Sequence, residues 1–168
     1  MKIVVLDSYV TAGDYSWQEL SLMGDVKVYD RTMPSEVIER CEDAMAIFSN
    51  KVLITKEVMD ALPMLKFVGV MATGTNIIDI AEATAHGITV CNVPAYSTQA
   101  VAQHVFALLL YITNHVGLYA DSVKNGDWAK SVDFSYLLQP IHELGGLVIG
   151  VYGLGNIGMS VANIAHAF

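Results

Sequence analysis

Near the end of the 168-residue chain, Gly153-Leu-Gly-Asn-Ile-Gly158 carries the spacing of a glycine turn that cradles phosphates. Each glycine has a separate physical task. Gly153 permits a tight turn, Gly155 lets backbone approach a pyrophosphate with no Cβ in the way, and Gly158 allows helix and strand to touch closely. The apolar run Leu147 to Tyr152 predicts a strand before the turn, and Met159 to Phe168 predicts a helix after it. A helix starting near Asn156 would aim its unpaired N–H groups and positive dipole end at the phosphates. The competing reading is a glycine turn needed only for packing. A βαβ unit takes about 30 residues, whereas Leu147 to Phe168 is 22. Its second strand, and the acidic residue that reads the ribose about 20 positions past the glycines, are expected beyond Phe168, so NAD and NADP are not distinguished.

A second group is Ala72-Thr-Gly-Thr-Asn-Ile-Ile-Asp79, directly after a predicted strand. In open α/β sheets ligands sit beyond the carboxyl ends of strands, and a Thr-Gly turn there offers backbone N–H donors to a small carboxylate. The alternative is an ordinary β–α turn in which Asn76 or Asp79 caps the next helix. Lys51, at the mouth of the third strand, faces an anion or is simply solvated. Asp7 ends the first strand as in a receiver-type acidic pocket, but Ser8, Ser49-Asn50 and the lack of a lysine after strand five argue against that reading. The five histidines show no metal-ligand spacing. His104 lies in an apolar helical stretch and reads as a packed or interface histidine.

Short β-rich runs alternating with helical stretches are expected to position these groups. Strands are predicted at Lys2 to Leu6, Val26 to Tyr29, Met45 to Ser49, Phe67 to Met71 and Ile88 to Asn92. Pro34 suits the first turn of a helix toward Cys41, Thr55 can cap Lys56 to Leu62, and Asp79 to His86 stops at Gly87. With no glycine-rich loop after strand one, the pattern predicts a flavodoxin-like parallel sheet. Beyond Pro94, Ser97 or Thr98 can cap a helix from about Gln99 past Tyr111. Val105 to Ile112 is apolar on all sides, which predicts burial between two domains. Asn125-Gly126-Asp127 marks an exit, and Ala129 to Glu143 reads as an irregular connection or interface arm. The expected organisation is α/β, with 1–98 as the flavodoxin-like domain and 99–168 as interdomain helix, arm and the first β–α unit of a Rossmann nucleotide-binding domain.

Composition narrows the partners. Seventeen acidic against nine basic residues give a formal charge of −8, which argues against nucleic acid and anionic membranes. Fifty-four per cent hydrophobic content indicates a well-cored globular chain. No charge falls between Leu144 and Phe168, but six glycines, Asn156, Ser160, Asn163 and His166 interrupt that stretch, so it is not read as a membrane span. Asp7 cuts the opening apolar run, excluding a signal h-region. Cys41 and Cys91 are too few for a disulfide framework and fit a reducing cytoplasm.

Taken together, three stretches resemble the D-isomer-specific 2-hydroxyacid dehydrogenases. Ala72 to Asp79 resembles that family's substrate-carboxylate loop, Asn92 to Leu109 its interdomain crossover into a long helix, and Gly153 to Gly158 its nucleotide fingerprint. Their order is also the family's, and the resemblance covers essentially the whole chain. Ser49-Asn-Lys51, Asp133-Phe-Ser-Tyr136 and Pro140 to Gly146 are most similar to glycerate dehydrogenases, or hydroxypyruvate reductases. Gln103 departs from the family's usual glutamate, and Gly146-Leu147 from a lysine-threonine pair.

The resemblance implies hydride transfer between C2 of a small hydroxy acid and C4 of NAD, or of NADP. It implies that Lys51 flanks the substrate and that Thr73 and Gly74 contact substrate or nicotinamide. Gly153, Gly155, Asn156, Ile157 and Gly158 would then line the pyrophosphate. The family's catalytic histidine, its supporting glutamate and its arginine fall past the fingerprint; neither His104 nor Arg40 matches them, so no catalytic residue is assigned. The 168 residues alone are therefore expected to be inactive, and a homodimer through the long helix and the arm is expected at full length. The alternatives are a non-catalytic remnant, or weak nucleotide- or carboxylate-binding module, and an NADH-sensing corepressor of the same fold.

Overall fold

The computed structural model describes residues 1–11 and 16–168. It divides into two compact units, Met1–Pro94 and Ala95–Phe168. In the first unit the predicted strands form with slightly shifted ends: β1 (Lys2–Val5), β2 (Asp25–Val28), β3 (Ala44–Ser49), β4 (Phe67–Val70) and β5 (Thr89–Cys91). All pair in parallel in the order β2-β1-β3-β4-β5, the flavodoxin-like arrangement. The order reverses between β1 and β3. The crevice outside their carboxyl ends is where ligands bind in sheets of this topology.

The apolar runs of β1, β3 and β4 explain their central places. Val4, Leu6, Ile47, Val68 and Val70 are buried together with residues such as Val37, Val58, Met59 and Ile78 from the flanking segments. Gly69 is required by packing, because a Cβ there would lie 2.5 Å from the Phe48 ring. The helices are short: α1 (Gln18–Ser21), α2 (Val37–Cys41, entered by a 3-10 turn at Pro34–Glu36), α3 (Lys56–Ala61) and α4 (Ile80–Ala85). Thr55 occupies the N-cap of α3 but makes no side-chain cap bond. Asp79 caps α4 by accepting the Glu82 N–H at 3.1 Å, and Gly87 follows the helix at φ +66°.

The second unit is helical: α5 (Thr98–Thr113), α6 (Val116–Lys124), α7 (Asp127–Lys130) and α8 (Asn156–Ala165). Its small core sets Ala102 and Phe106 of α5 against Val161 of α8. Phe168 stacks on Phe106 with ring centroids 5.5 Å apart. Gly126, at φ +81°, caps α7 at the predicted exit. The connection after Lys130 is irregular, as expected, and tied to α6: the Tyr119 hydroxyl donates to the Gln139 carbonyl at 3.0 Å and accepts the Leu138 N–H at 2.9 Å.

Two expectations about this unit are corrected. Leu147 to Tyr152 does not form a strand, and Val148 is 98% exposed. A parallel strand exists only through pairing, and the unit contains no second strand among its described residues. The helix α5 is not buried all round either: Leu108, Tyr111 and Ile112 are exposed. Its core contact uses one face, Ala102 and Phe106, and His104 also lies exposed. Among the described residues no single helix is long and apolar enough to cross a membrane. The pair α5 and α6 meets that criterion jointly by length and composition, bent by 61°.

Candidate active site

In the first unit, the carboxyl edge of the sheet brings Lys51 and Thr73–Gly74 onto neighbouring loops. Ser49 pairs with Val70 at the ends of β3 and β4, and Lys51 and Thr73 follow within three residues. All three candidate residues are exposed. The N–H groups of Thr73 and Gly74 donate to no protein acceptor among the described residues, and the Lys51 ammonium forms no ion pair there. Two free backbone donors and an exposed ammonium suit a small carboxylate. The competing reading of this loop is also realised in part, since Asp79 caps α4. Capping occupies the far end of the segment and leaves Thr73–Gly74 untouched.

These loops are laced to one another by hydrogen bonds. The Asn92 side chain donates to the Thr73 carbonyl at 2.7 Å, the Val93 N–H to the Ala72 carbonyl at 3.0 Å, and the Thr73 hydroxyl to the Val93 carbonyl at 3.2 Å. Across β3 and β4, the Met71 N–H reaches the Ser49 carbonyl at 2.8 Å, and the Asn50 amide nitrogen donates to the Met71 carbonyl.

Asp7 is the residue whose part here sequence reasoning missed. Its buried carboxylate accepts the N–H of Asn50 at 2.9 Å, of Lys51 at 2.6 Å and of Val52 at 3.3 Å. An acidic residue closing the apolar run of strand one, with a Ser-Asn-Lys turn closing strand three, was the available signal.

In the second unit, the glycine turn forms without its strand. Gly153 adopts φ +93°, a conformation that favours glycine. A Cβ on Gly158 would fall 2.0 Å from the Gly153 carbonyl oxygen, so this glycine is demanded by close approach. At Gly155 a Cβ would meet no protein atom within 4 Å, so packing does not demand it. Gly155 is the N-cap of α8 and no side chain caps the helix. The first-turn N–H groups of Asn156, Ile157 and Gly158 therefore have no intrahelical acceptor. A helix start that is uncapped and backbone-lined fits an anionic phosphate. Among the described residues, no group of three or more His, Cys, Asp or Glu side chains is placed to hold a metal ion.

Comparison with known proteins places the whole chain in one context. Residues 3–164 match the family model described as D-isomer specific 2-hydroxyacid dehydrogenase, catalytic domain. The hydroxypyruvate reductase of Blautia hydrogenotrophica is 42% identical over 171 residues, covering 99% of this chain and 53% of that protein. The glycerate dehydrogenase of Methylorubrum extorquens is 37% identical over 167 residues, covering 99% and 52%. Among solved structures, the NADPH-dependent glyoxylate/hydroxypyruvate reductase of Sinorhizobium meliloti, in complex with NADP and malonate, superposes with a TM-score of 0.71 at 26% identity, covering 99% of this chain and 50% of that one. The chain thus spans about half the length of the relatives it matches.

Proposed function

The chain belongs to the D-isomer specific 2-hydroxyacid dehydrogenase family, and on that premise we propose that it forms the substrate-carboxylate side and the first nucleotide-binding turn of an oxidoreductase acting on glycerate and hydroxypyruvate. The observation that carries this reading is the pair of exposed, unpaired N–H groups at Thr73 and Gly74 beside the Lys51 loop, at the carboxyl edge of the sheet. Residues 1–98 serve as the substrate domain. Residues 99–168 contribute the interdomain helix, the arm and the start of the nucleotide domain.

In this reading Lys51 and the Thr73–Gly74 N–H groups hold the carboxylate, and Thr73 also borders the nicotinamide. Gly153, Gly155, Asn156, Ile157 and Gly158 would hold the pyrophosphate of NAD; NADP is the alternative, and the choice rests on residues other than these. Bound nicotinamide supplies or accepts the hydride at C4. Residues 1–168 orient the acid, and neither His104 nor Arg40 lies on the loops proposed to hold it. On this reading they are expected to bind without turnover. A helix N-terminus contributes about 0.3–2 kcal/mol to an anion, whereas micromolar affinity takes about 8 kcal/mol, so binding of NADH to these residues is expected to be weak. Exposed Val132, Phe134 and Leu137 on the arm support a homodimer, and free Cys41 and Cys91 support a cytoplasmic location.

The test is saturation-transfer NMR of D-glycerate with the chain, run beside an absorbance assay of NADH with hydroxypyruvate. Transfer that disappears in Lys51→Ala, with NADH oxidation at background, is the expected result. Absence of transfer, or turnover well above background, contradicts the reading.

A further inference from the structure

The Asp7 carboxylate is 1% exposed and belongs to no step of the reaction just described. A buried carboxylate persists only where donors replace the water it has lost. Among the described residues, every backbone donor to the Asp7 carboxylate comes from one loop: Asn50, Lys51 and Val52, at 2.9, 2.6 and 3.3 Å. Asp7 follows β1 and that loop follows β3, so the contact closes across the point where the strand order reverses. The Lys51 backbone is thereby pinned while its side chain stays exposed.

Asn50 extends the connection one strand further. Its backbone N–H is bound to Asp7, and its side-chain amide donates to the carbonyl of Met71, two residues before Thr73. From there the Asn92 and Val93 contacts hold Thr73 and Ala72 against the end of β5. A single line of hydrogen bonds runs from β1 to β5 along the edge that carries the candidate site.

We propose that Asp7 and Asn50 are positioning residues that set the Lys51 loop and the Thr73–Gly74 loop relative to each other, so that cation and N–H donors meet one carboxylate. The proposal rests on the substrate reading of this edge. Asparagine at position 7 keeps the shape but turns an NH2 group toward backbone donors that need an acceptor. Alanine at position 50 keeps the backbone N–H to Asp7 and deletes only the link to Met71.

The test uses backbone amide NMR of the chain, first without ligand and then with D-glycerate. Asp7→Asn is expected to move the Thr73 and Gly74 amides, which it does not touch, and the same substitution in an Asn50→Ala background is expected to leave them where Asn50→Ala alone puts them. Each single variant is expected to unfold cooperatively and to bind D-glycerate about three- to tenfold more weakly. Thr73 and Gly74 amides unmoved by either substitution overturn the proposal, as do wild-type affinities in both variants. If D-glycerate perturbs neither loop of the unaltered chain, the substrate reading fails, and the ligand-free comparison alone decides whether the loops are coupled. If Asp7→Asn does not fold, Asn50→Ala supplies both readouts.

Discussion

Asn92 donates from its side chain to the carbonyl of Thr73 at 2.7 Å, tying the segment after β5 to the loop after β4. The Thr73 hydroxyl donates in turn to the Val93 carbonyl. With both groups engaged, the Thr73 N–H is the polar group left to face a ligand. Asn92→Ala is expected to lower stability by about 0.5–1.5 kcal/mol, the net worth of one hydrogen bond, and to weaken D-glycerate binding several-fold. Urea unfolding and an NMR titration check the two effects; unchanged affinity would detach this bond from the site.

Gly158 and Gly155 separate a glycine needed for folding from one needed for binding. In Gly158→Ala the new Cβ meets the Gly153 carbonyl oxygen at 2.0 Å, and a loss of about 1–3 kcal/mol is expected from the forced shift. In Gly155→Ala the Cβ enters open space, at a cost of about 1 kcal/mol or less for a poorer N-cap. That methyl stands where the pyrophosphate is proposed to approach, so perturbation of the turn by NADH should vanish. Thermal melts combined with an NADH titration distinguish the two variants.

A pH-dependent staple joins α3 and α4. The two His86 ring nitrogens lie 2.8 Å from the Glu82 carbonyl and 2.8 Å from the Asp60 carboxylate. The Glu82 carbonyl first, and then Asp60, raise the His86 pKa, while the hydrogen bond from His86 is the main cause lowering that of Asp60. A raised histidine contributes stability that is full below its unfolded pKa of about 6.5 and is lost as pH rises through the folded value. A lowered aspartate contributes stability present above about 3.9 and lost as pH falls through its folded value. The staple is therefore strongest between about pH 4 and 6.5. Melting temperature is expected to fall as pH rises above about 6.5 and through the raised His86 value, with that slope reduced in His86→Gln and flattened by salt.

The two cysteines should differ sharply in reactivity. Burial pushes the Cys41 thiol up to about 12, whereas Cys91 is exposed at the end of β5. A thiol reagent at mildly alkaline pH is expected to modify one cysteine in the folded chain and both in denaturant, because the thiolate is the reacting form. Two fast-reacting thiols in the folded chain would contradict the burial of Cys41.

The parallel sheet was legible because β1, β3 and β4 are continuous apolar runs broken by helix caps such as Asp79 and stops such as Gly87. Leu147 to Tyr152 carries the same kind of run, yet strand formation depends on a neighbour that periodicity does not supply. Apolarity likewise overstated the burial of α5, since hydrophobic residues such as Ile112 remain exposed where no element covers them. Of the candidate site, motif spacing singled out Thr73 and Gly158, and the structure shows the Thr73 N–H unpaired among the described residues and Gly158 demanded by close approach. The contact of Asp7 with Lys51 joins residues 44 positions apart, and only the strand order brings them together.

The Lys51 and Thr73–Gly74 loops are proposed to take a small hydroxy acid, and the Gly153–Gly158 turn a nicotinamide dinucleotide. Amide spectra of the chain titrated separately with D-glycerate and with NADH decide between the two loops. D-glycerate shifts are expected to concentrate on Lys51, Thr73 and Gly74, and NADH shifts on Gly153 to Gly158. D-glycerate shifts confined to other residues, or NADH that leaves the glycine turn unperturbed at saturating concentration, would contradict that assignment.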